Sequence, residues 1–530
     1  MSIILFVIYA VITLISIIFL SLREFHMLQL NGYKTPEHTW WIKKNYKRYI
    51  FPALCFVMQF ASFWTDFSLP MVIAFSLFNI SIAIANKPGK KFKKPFVYTA
   101  RVKRMLTTFF ILIAIIFACA YFWGRYWVTD IYYFHAEAYV MIGSALYLTP
   151  ILVPLANIIN KPIETAIQHW YINDAKRILS EMPDLHKVGI TGSYGKTSMK
   201  FYLSELLASQ YETLKTPESF NTPMGVTITV RRDMKPTHEY FICEMGARRV
   251  HEIKELCDIA NPYDGIITSV GPQHLETFNS IENVVNTKFE LADSVVKSGG
   301  KIYVNGDNEL IRNKIKDYPT AITYGMNEGN NWRATDISVS DKGTEFTVNS
   351  PDGKSCRYTT KLLGEHSVLN LTGAIAYAVG TGIPMEKLVL PVKRIASVPH
   401  RLQLLDKGNG VTFIDDAYNS NPSGCRAALA VLGLFDACRI LVTPGMVELG
   451  EKQEELNYEF GQEASKACDY IVLVGKNQTV PIYNGIKDSG YNMEQVYVAD
   501  NLNDALAKVQ AYHTDKKKIV LLENDLPDNY

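Results

Sequence analysis

The chain has 530 residues, 48% of them hydrophobic, and a formal net charge of +2. This length excludes a single compact core and predicts two or three folding units. The near-neutral charge excludes a strongly basic chain, and we expect no nucleic-acid partner.

The first 160 residues contain five apolar runs. Residues 1–22 are almost unbroken Ile, Leu, Val and Phe, a length that suits a helix crossing a bilayer. They lack the basic start and the small-residue cleavage site of a signal peptide, so we expect the helix to be retained. The other runs are residues 49–65, 67–85, 105–123 and 138–159. The pattern predicts a transmembrane region of about five helices over residues 1–160.

The loops between these runs indicate an orientation, because cytoplasmic loops collect Lys and Arg. Residues 23–48 contain six basic residues and residues 87–104 contain eight, whereas residues 125–137 contain one. Five crossings then place the amino terminus outside the cell membrane and the catalytic domains in the cytoplasm. Eight cysteines without a CxxC pair agree with a reducing compartment. The second and third runs could instead be buried core helices or one re-entrant hairpin, and the basic loops could bind anionic lipid.

Residues 161–184 have Ile, Trp and Leu among polar neighbours, which predicts an amphipathic linker helix, either on the bilayer or packed on the next domain. Short β-branched runs then alternate with helical stretches, as in a mostly parallel α/β sheet. A second series begins near residue 411. We therefore expect a multi-domain chain, with a central α/β domain over residues 185–398 and a Rossmann-like α/β domain over residues 399–530.

The first chemical motif follows a predicted strand that ends at Ile190. It reads Thr191-Gly192-Ser193-Tyr194-Gly195-Lys196-Thr197-Ser198 and leads into a helical stretch, as a phosphate-binding P-loop does. Its glycines let backbone N–H groups surround phosphate oxygens, Lys196 can neutralise the β and γ phosphates, and the Thr197 hydroxyl can reach Mg²⁺. Ile190 departs from the usual P-loop, which has glycine there. The motif predicts a site for ATP and Mg²⁺.

Further polar groups follow predicted strands, where α/β sheets bind their ligands. Glu244 comes directly after an apolar strand, as an acidic metal ligand would. His274 and Glu276 lie in a glycine-proline loop, and Lys288 begins a predicted helix. Each residue alone would more often be an ordinary surface or core residue. Their clustering after a P-loop favours a functional site.

These motifs resemble the Mur ligase family, most closely the branch that adds the terminal dipeptide to the peptidoglycan precursor. The resemblance covers about residues 187–449. It includes the P-loop, Lys288, Glu244-Met245-Gly246-Ala247, Gly271-Pro272-Gln273-His274-Leu275-Glu276, residues 364–370 and Asp415-Asp416-Ala417-Tyr418-Asn419-Ser420-Asn421-Pro422. It implies a P-loop ATPase central domain, a carboxyl-terminal ligase domain and an ATP-dependent acid–amino-acid ligase.

The resemblance also implies residue roles. Thr197 would bind a first Mg²⁺ ion, and a second would be bound by Glu244, His274 and Lys288. Lys288 would carry a carbamate formed with carbon dioxide, because a bare ammonium group would repel Mg²⁺. An unmodified surface lysine is the alternative. The catalytic residues implied are Lys196, His274 and Lys288. The ATP contacts implied are Gly192, Ser193, Tyr194, Gly195, Lys196, Thr197, Ser198, Asp307, Asn370, Arg401 and Asp416. The substrate contacts implied are Asn221, Asn419, Asn421 and Glu448.

The implied reaction has two steps. The acceptor carboxylate attacks the γ-phosphate to give an acyl phosphate, and an amine then displaces phosphate to form an amide. Closure of the carboxyl-terminal domain would protect the acyl phosphate from water.

Departures from the family change the expected substrates. Membrane helices stand where the family has a uridine-nucleotide-binding domain. Near the amine pocket, Pro444 and Gly445 replace Gly and Asp, and Glu523-Asn524-Asp525 replaces Lys-Gly-Ser. We therefore expect a membrane-linked carboxylate acceptor of the cell envelope, and an amino acid or short peptide as the amine. The alternatives are a polyglutamate-type synthase, an ATP-driven transporter or sensor, and a degenerate binding module.

Overall fold

The computed structural model describes residues 3–61, 69–86, 95–127, 131–406, 410–417, 421–447 and 449–525. The chain divides near Trp170 into two units. The first unit is helical, and the second contains two β-sheets with helices packed on them. The predicted α/β character of the second unit is confirmed.

The first unit is built from long helices. They are α1 (Ile3–Leu30), α2 (Thr35–Lys44), α3 (Lys47–Ala61), α4 (Leu69–Asn86), α5 (Ala100–Trp127) and α6 (Ile131–Ser180). Among the described residues, three segments are long and apolar enough to cross a membrane, namely Val7–Leu30, Ala100–Cys119 and Val140–Ser180.

The second and third predicted spans correspond to α3 and α4, and α4 has 18 residues, from Leu69 to Asn86. Residues 62–68, between these two helices, lie outside the described residues. The count of five spans therefore stays a prediction, alongside the three candidate spans that length and composition give for the described residues.

Buried polar side chains join α1 to α4. Asn79 Nδ2 donates a hydrogen bond to Thr13 Oγ1 at 2.8 Å, and Ser16 Oγ donates one to the Asn79 carbonyl oxygen at 2.7 Å. Apolar surroundings offer polar groups no water, so such groups pair between helices. These two hydrogen bonds hold α4 against α1.

The predicted linker helix over residues 161–184 is not a separate element. These residues continue α6, which runs unbroken to Ser180 and includes Pro150, Pro154 and Pro162. A proline removes one backbone donor, and apolar helices tolerate this loss when neighbouring groups compensate. Near the end of α6, Ala175 and Leu179 are buried in the core of the central domain.

The central domain is built on a nine-stranded sheet with the order β2-β3-β1-β4-β5-β6-β7-β8-β9. Strands β1 to β7 pair in parallel, and β7, β8 and β9 are antiparallel. The strands are β1 (His186–Thr191), β2 (Thr213–Lys215), β3 (Tyr240–Glu244), β4 (Asp264–Ile267), β5 (Ile302–Asn305), β6 (Ile322–Gly325), β7 (Trp332–Ser340), β8 (Gly343–Asn349) and β9 (Ser355–Thr360).

Helices cover both faces of this sheet. They are α7 (Lys196–Leu207), α8 (Pro223–Asp233), α9 (Glu252–Ala260), α10 (Leu275–Phe278), α11 (Ile281–Lys297), α12 (Glu309–Lys314), α13 (Glu365–Gly380) and α14 (Val389–Arg394). Apolar residues of α7 and α13 form one core, and those of α8, α9 and α11 form the other. β3 lies on one side of β1 and β4 lies on the other, so the connection from β3 to β4 crosses to the opposite side of β1. The carboxyl ends of these strands therefore border a crevice of the kind that binds ligands.

The last domain has a six-stranded sheet with the order β10-β11-β15-β12-β13-β14, parallel except for β10. The strands are β10 (Gln403–Asp406), β11 (Val411–Asp416), β12 (Cys438–Thr443), β13 (Tyr470–Val474), β14 (Val496–Ala499) and β15 (Lys518–Glu523). The helices are α15 (Pro422–Leu432), α16 (Gln453–Ala467), α17 (Val480–Asp488) and α18 (Leu502–Ala511). The buried Leu363, just before α13, belongs to the core of this domain, which joins the two sheets.

Candidate active site

The P-loop lies between β1 and α7, at the crevice defined by the sheet order. Gly195 has φ of 80°, in the left-handed region that side chains rarely adopt. A Cβ atom added there would lie 2.9 Å from Asn370 Oδ1, and one added at Gly192 would lie 2.1 Å from Thr268 Oγ1. Both positions therefore require glycine, and Asn370 of α13 lies directly against the loop.

The P-loop is hydrogen-bonded to the loop after β4. Ser193 N donates to the Ser269 carbonyl oxygen at 2.6 Å, Ser193 Oγ donates to the Gly271 carbonyl oxygen at 3.0 Å, and Tyr194 donates to the Pro272 carbonyl oxygen at 2.6 Å. These contacts fix the loop that presents His274 relative to the P-loop. The side chains of Ser193 and Tyr194 already make these hydrogen bonds. The contacts with ATP that are predicted for the two residues would therefore come from their backbone atoms.

Lys196 lies under the P-loop. Its Nζ atom donates to the carbonyl oxygens of Gly192 at 2.8 Å and of Ser193 at 3.1 Å. Burial lowers the pKa of Lys196 to about 8, with Glu244 opposing the shift and Arg401 adding to it. Arg401 belongs to the last domain, so residues of both domains act on this cleft.

Glu244 forms the centre of a buried polar cluster at the end of β3. Its Oε1 atom accepts hydrogen bonds from Thr197 Oγ1 at 3.2 Å and Asn221 Nδ2 at 3.0 Å. Its Oε2 atom lies 2.9 Å from Lys200 Nζ. Burial raises the pKa of Glu244, but Lys200 and Lys196 outweigh it and hold the pKa below its usual range. The structure thus brings together Thr197, Glu244 and Asn221, residues for which the sequence predicts three different roles.

Lys200 is a residue that the motifs did not indicate. It is fully buried and forms an ion pair with a predicted metal ligand. Helical spacing is the signal that could have found it, because Lys200 lies one turn after Thr197 and so on the same face of α7.

Lys288 is buried in α11 with only 1% of its surface exposed, so it is not a surface lysine. Burial and the charge of Lys196 hold the pKa of Lys288 well below the usual range, against the opposing carboxylates of Glu252 and Glu290. A lower pKa increases the fraction of the amine that is neutral and nucleophilic. The burial of Lys288 therefore suits the predicted reaction with carbon dioxide.

The described residues contain no group of three or more His, Cys, Asp or Glu side chains placed to hold a metal ion. Glu244 and the Thr197 hydroxyl supply oxygen ligands, which Mg²⁺ prefers, and Mg²⁺ commonly completes its shell with substrate phosphates. These two residues fit one ion bound together with ATP. A second ion requires another anion, which a carbamate on Lys288 would provide. His274 begins α10 with φ of 51°, and the side chain of Glu276 lies outside the described residues.

The carboxylate of Asp307 makes its hydrogen bonds within the central domain. It accepts hydrogen bonds from Met326 N at 2.6 Å, Asn327 N at 3.0 Å and Asn330 Nδ2 at 2.8 Å. It therefore fixes the loop between β6 and β7. A direct contact with adenine, as predicted, would have to share these acceptor oxygens.

The last domain presents a second polar group at the end of β11. Asp416 Oδ1 accepts a hydrogen bond from Leu402 N at 3.2 Å. Burial raises the pKa of Asp416 to about 6, although the charge of Arg401 opposes the shift. Asn421 Oδ1 accepts from Gly424 N at 2.9 Å and so begins α15. Asn419 and Glu448 lie outside the described residues.

Comparison with known proteins identifies the family. The Mur ligase middle domain matches residues 190–378, and the Mur ligase glutamate ligase domain matches residues 400–523. A UDP-N-acetylmuramoyl-tripeptide–D-alanyl-D-alanine ligase of Mycobacterium leprae is 31% identical over 359 residues, covering 62% of this chain and 69% of that protein. The chain belongs to the Mur ligase family.

Other Mur ligases give the same result. The enzyme of the same name from Bacillus subtilis is 32% identical over 305 residues, and this chain spans 65% of its length and matches it over 57% of its own. The MurF ligase from Thermotoga maritima in complex with ADP has the same fold, with a TM-score of 0.60 at 24% identity over 68% of this chain and 80% of that one. The predicted family is confirmed, and these relatives carry the name of its dipeptide-adding branch.

Proposed function

We propose that this Mur ligase joins an amino acid or short peptide to a carboxylate of a membrane-linked cell-envelope acceptor, with ATP converted to ADP. The observation that carries the ligase chemistry is the P-loop beside Glu244, whose carboxylate accepts a hydrogen bond from Thr197, with the charge of Lys196 acting on the buried Lys288. The name of the relatives, a ligase that adds D-alanyl-D-alanine to a UDP-linked tripeptide, supports a peptide-like amine.

The residues of the crevice suit phosphoryl transfer. P-loop N–H groups would hold the phosphates, and Lys196 would leave the carbonyl oxygens of its own loop to meet the γ-phosphate. Mg²⁺, bound at Thr197 and Glu244 with the nucleotide, would neutralise charge on the phosphate oxygens. Arg401 would add positive charge from the last domain.

The reaction balances in two steps. A carboxylate oxygen of the acceptor forms a bond to the γ-phosphorus while the bond to ADP breaks, which gives an acyl phosphate. The neutral amine then attacks the acyl carbon, inorganic phosphate leaves, and the amine loses a proton to form the amide. The Leu363 contact between the two domains supports a closed arrangement that keeps water from the acyl phosphate.

Carbamylation of Lys288 is part of this proposal. The neutral Nζ atom attacks carbon dioxide, a proton is released, and the buried ammonium position becomes an anion. That anion and His274 would provide ligands for the second Mg²⁺ ion, whereas Glu244, predicted for the second ion, lies beside Thr197 and is assigned here to the first. Purified protein equilibrated with ¹³C-bicarbonate should show a carbamate carbon signal by NMR, and the Lys288→Met variant should lack it.

The membrane-linked acceptor is supported by the segment that precedes the central domain. The candidate span Val140–Ser180 belongs to α6, and α6 ends only a few residues before β1. A helix of this kind would keep the ligase at the bilayer, where an acceptor held in lipid is concentrated. Three crossings, like five, place the amino terminus outside and the ligase in the cytoplasm, in line with the basic loops.

The test supplies purified full-length protein in nanodiscs with ATP, an amine mixture and one of two acceptor pools. One pool is a lipid extract of the cell envelope, and the other is the soluble UDP-linked tripeptide. We expect ADP release that requires both amine and lipid extract. Turnover with the soluble precursor alone would refute the membrane-linked acceptor. A ladder of products by mass spectrometry would favour a poly-amino-acid synthase, and ATP hydrolysis without any acceptor would favour a transporter.

The orientation needs its own measurement. Single cysteines placed at residue 2 and in the loop after Asp233 are labelled in intact cells with a membrane-impermeant maleimide. We expect labelling at residue 2 alone. Labelling of the site after Asp233 in intact cells would contradict the proposed cytoplasmic location.

A further inference from the structure

Lys200 is one of the most completely buried charged residues of the central domain. Its side chain has 0% exposure, and Glu244 beside it has 1%. Lysine is rarely buried in this way unless its ammonium group is paired. Two partners account for the burial, since Nζ lies 2.9 Å from Glu244 Oε2 and donates a hydrogen bond to the carbonyl oxygen of Glu218.

The second partner belongs to the loop that carries Asn221. Glu218 has φ of 39°, a left-handed conformation that a non-glycine residue adopts only when its surroundings hold it there. Its contact with Lys200 provides such a restraint. Asn221 also contacts the carboxylate of Glu244, since its Nδ2 atom donates a hydrogen bond to Glu244 Oε1 at 3.0 Å. Lys200, Glu244 and residues 216–222 thus form a closed set of contacts.

We propose that Lys200 is a positioning residue that orients Glu244 for Mg²⁺ and couples this carboxylate to residues 216–222. When an ion pair holds one oxygen of a carboxylate, the group cannot rotate freely, and its other oxygen keeps its direction. Lys200 holds Oε2, which leaves Oε1 directed at the Thr197 hydroxyl, 3.2 Å away. The inference rests on the proposed function, because it takes Glu244 as a Mg²⁺ ligand.

The coupling has a consequence for the substrate side of the cleft. Binding of a metal ion at Oε1 competes with the hydrogen bond from Asn221, whereas Lys200 keeps Glu218 tied to the same carboxylate. Metal binding is therefore transmitted to residues 216–222 through two contacts of Glu244, with Asn221 at Oε1 and with Lys200 at Oε2. Without Lys200, the coupling between metal binding and the order of the loop becomes weaker.

The experiment measures metal binding without turnover. Full-length wild type, Lys200→Met and Lys200→Arg are purified in detergent micelles, and Mn²⁺ affinity with ADP is measured by electron paramagnetic resonance. Loss of a group that orients a metal ligand weakens metal binding by about 10- to 100-fold, which is the effect expected for Lys200→Met. Lys200→Arg keeps the cation and should recover part of the affinity. The change in hydrogen exchange of residues 216–222 on addition of Mn²⁺ and ADP should be smaller in Lys200→Met than in wild type.

Lys215→Met is a matched control. Lys215 Nζ lies 4.8 Å from the Phe201 ring centroid and Lys200 Nζ lies 5.4 Å from it, but Lys215 pairs with Glu205 instead of Glu244. We expect wild-type Mn²⁺ affinity for this control.

The outcomes separate the two proposals. Wild-type Mn²⁺ affinity and wild-type exchange in a folded Lys200→Met protein would overturn the role of Lys200 and leave the proposed function standing. A wild-type protein that binds no Mn²⁺ with ADP would overturn the proposed function itself. If circular dichroism shows that Lys200→Met does not fold, Lys200→Gln takes its place, and wild-type affinity there refutes the need for the ammonium group.

Discussion

The substitution Lys288→Met should stabilise the protein while it removes activity. Lys288 is 1% exposed, and the described residues show no hydrogen bond to its Nζ atom. Burial of a polar group without a hydrogen bond costs about 1–3 kcal/mol in protein mutational data. Methionine has a similar shape without the amine. We therefore expect the free energy of unfolding of the central domain to rise by about 1–3 kcal/mol, or about 2–10 °C in Tm.

The same substitution predicts a pH dependence with a definite sign. Because the pKa of Lys288 is lower in the folded state, the unfolded chain binds more protons between that pKa and the usual lysine value. Stability of the wild type therefore rises with pH across this window. The Tm advantage of Lys288→Met should shrink as the pH approaches about 10.

The assay is differential scanning fluorimetry in bicarbonate-free buffer at several pH values, together with ADP release. ADP release should fall by at least about 100-fold, because the variant cannot form the carbamate. Lys297→Met, on the exposed face of the same helix, should change neither quantity. A Lys288→Met protein with a lower Tm than wild type, or with full activity, would refute the reasoning.

Three further predictions concern the P-loop and the last domain. Gly195→Ala should weaken ADP binding by at least about tenfold in calorimetry, because alanine at φ of 80° costs about 1–2 kcal/mol and its Cβ meets Asn370. Lys196→Ala should abolish ATP turnover and leave circular dichroism unchanged; residual full turnover would contradict its role. Asp416→Asn should raise Tm at pH 7 but not at pH 4, since an acid with a folded pKa of about 6 loses stability as the pH rises through that value. An equal Tm change at both pH values would contradict the burial of this carboxyl group.

Much of the fold can be predicted from residues that are close together in the sequence. The P-loop, the strands β1, β3, β4 and β5, and the two α/β domains follow from local spacing and from hydrophobic runs. Such features depend on neighbours along the chain, so the sequence alone predicts them. The proximity of Thr197 to Glu244 was also predictable, because parallel strands bring their carboxyl ends to one edge of the sheet.

Other features depend on contacts between distant segments, and only the tertiary structure decided them. The ion pair between Lys200 and Glu244 forms only because β3 lies beside β1 in the sheet. The hydrogen bonds between Asp307 and the loop after β6 likewise form only because β5 and β6 are neighbours. The burial that lowers the pKa of Lys288 is likewise a property of the packed core, because a pKa responds to solvent exclusion and to charges that the fold assembles.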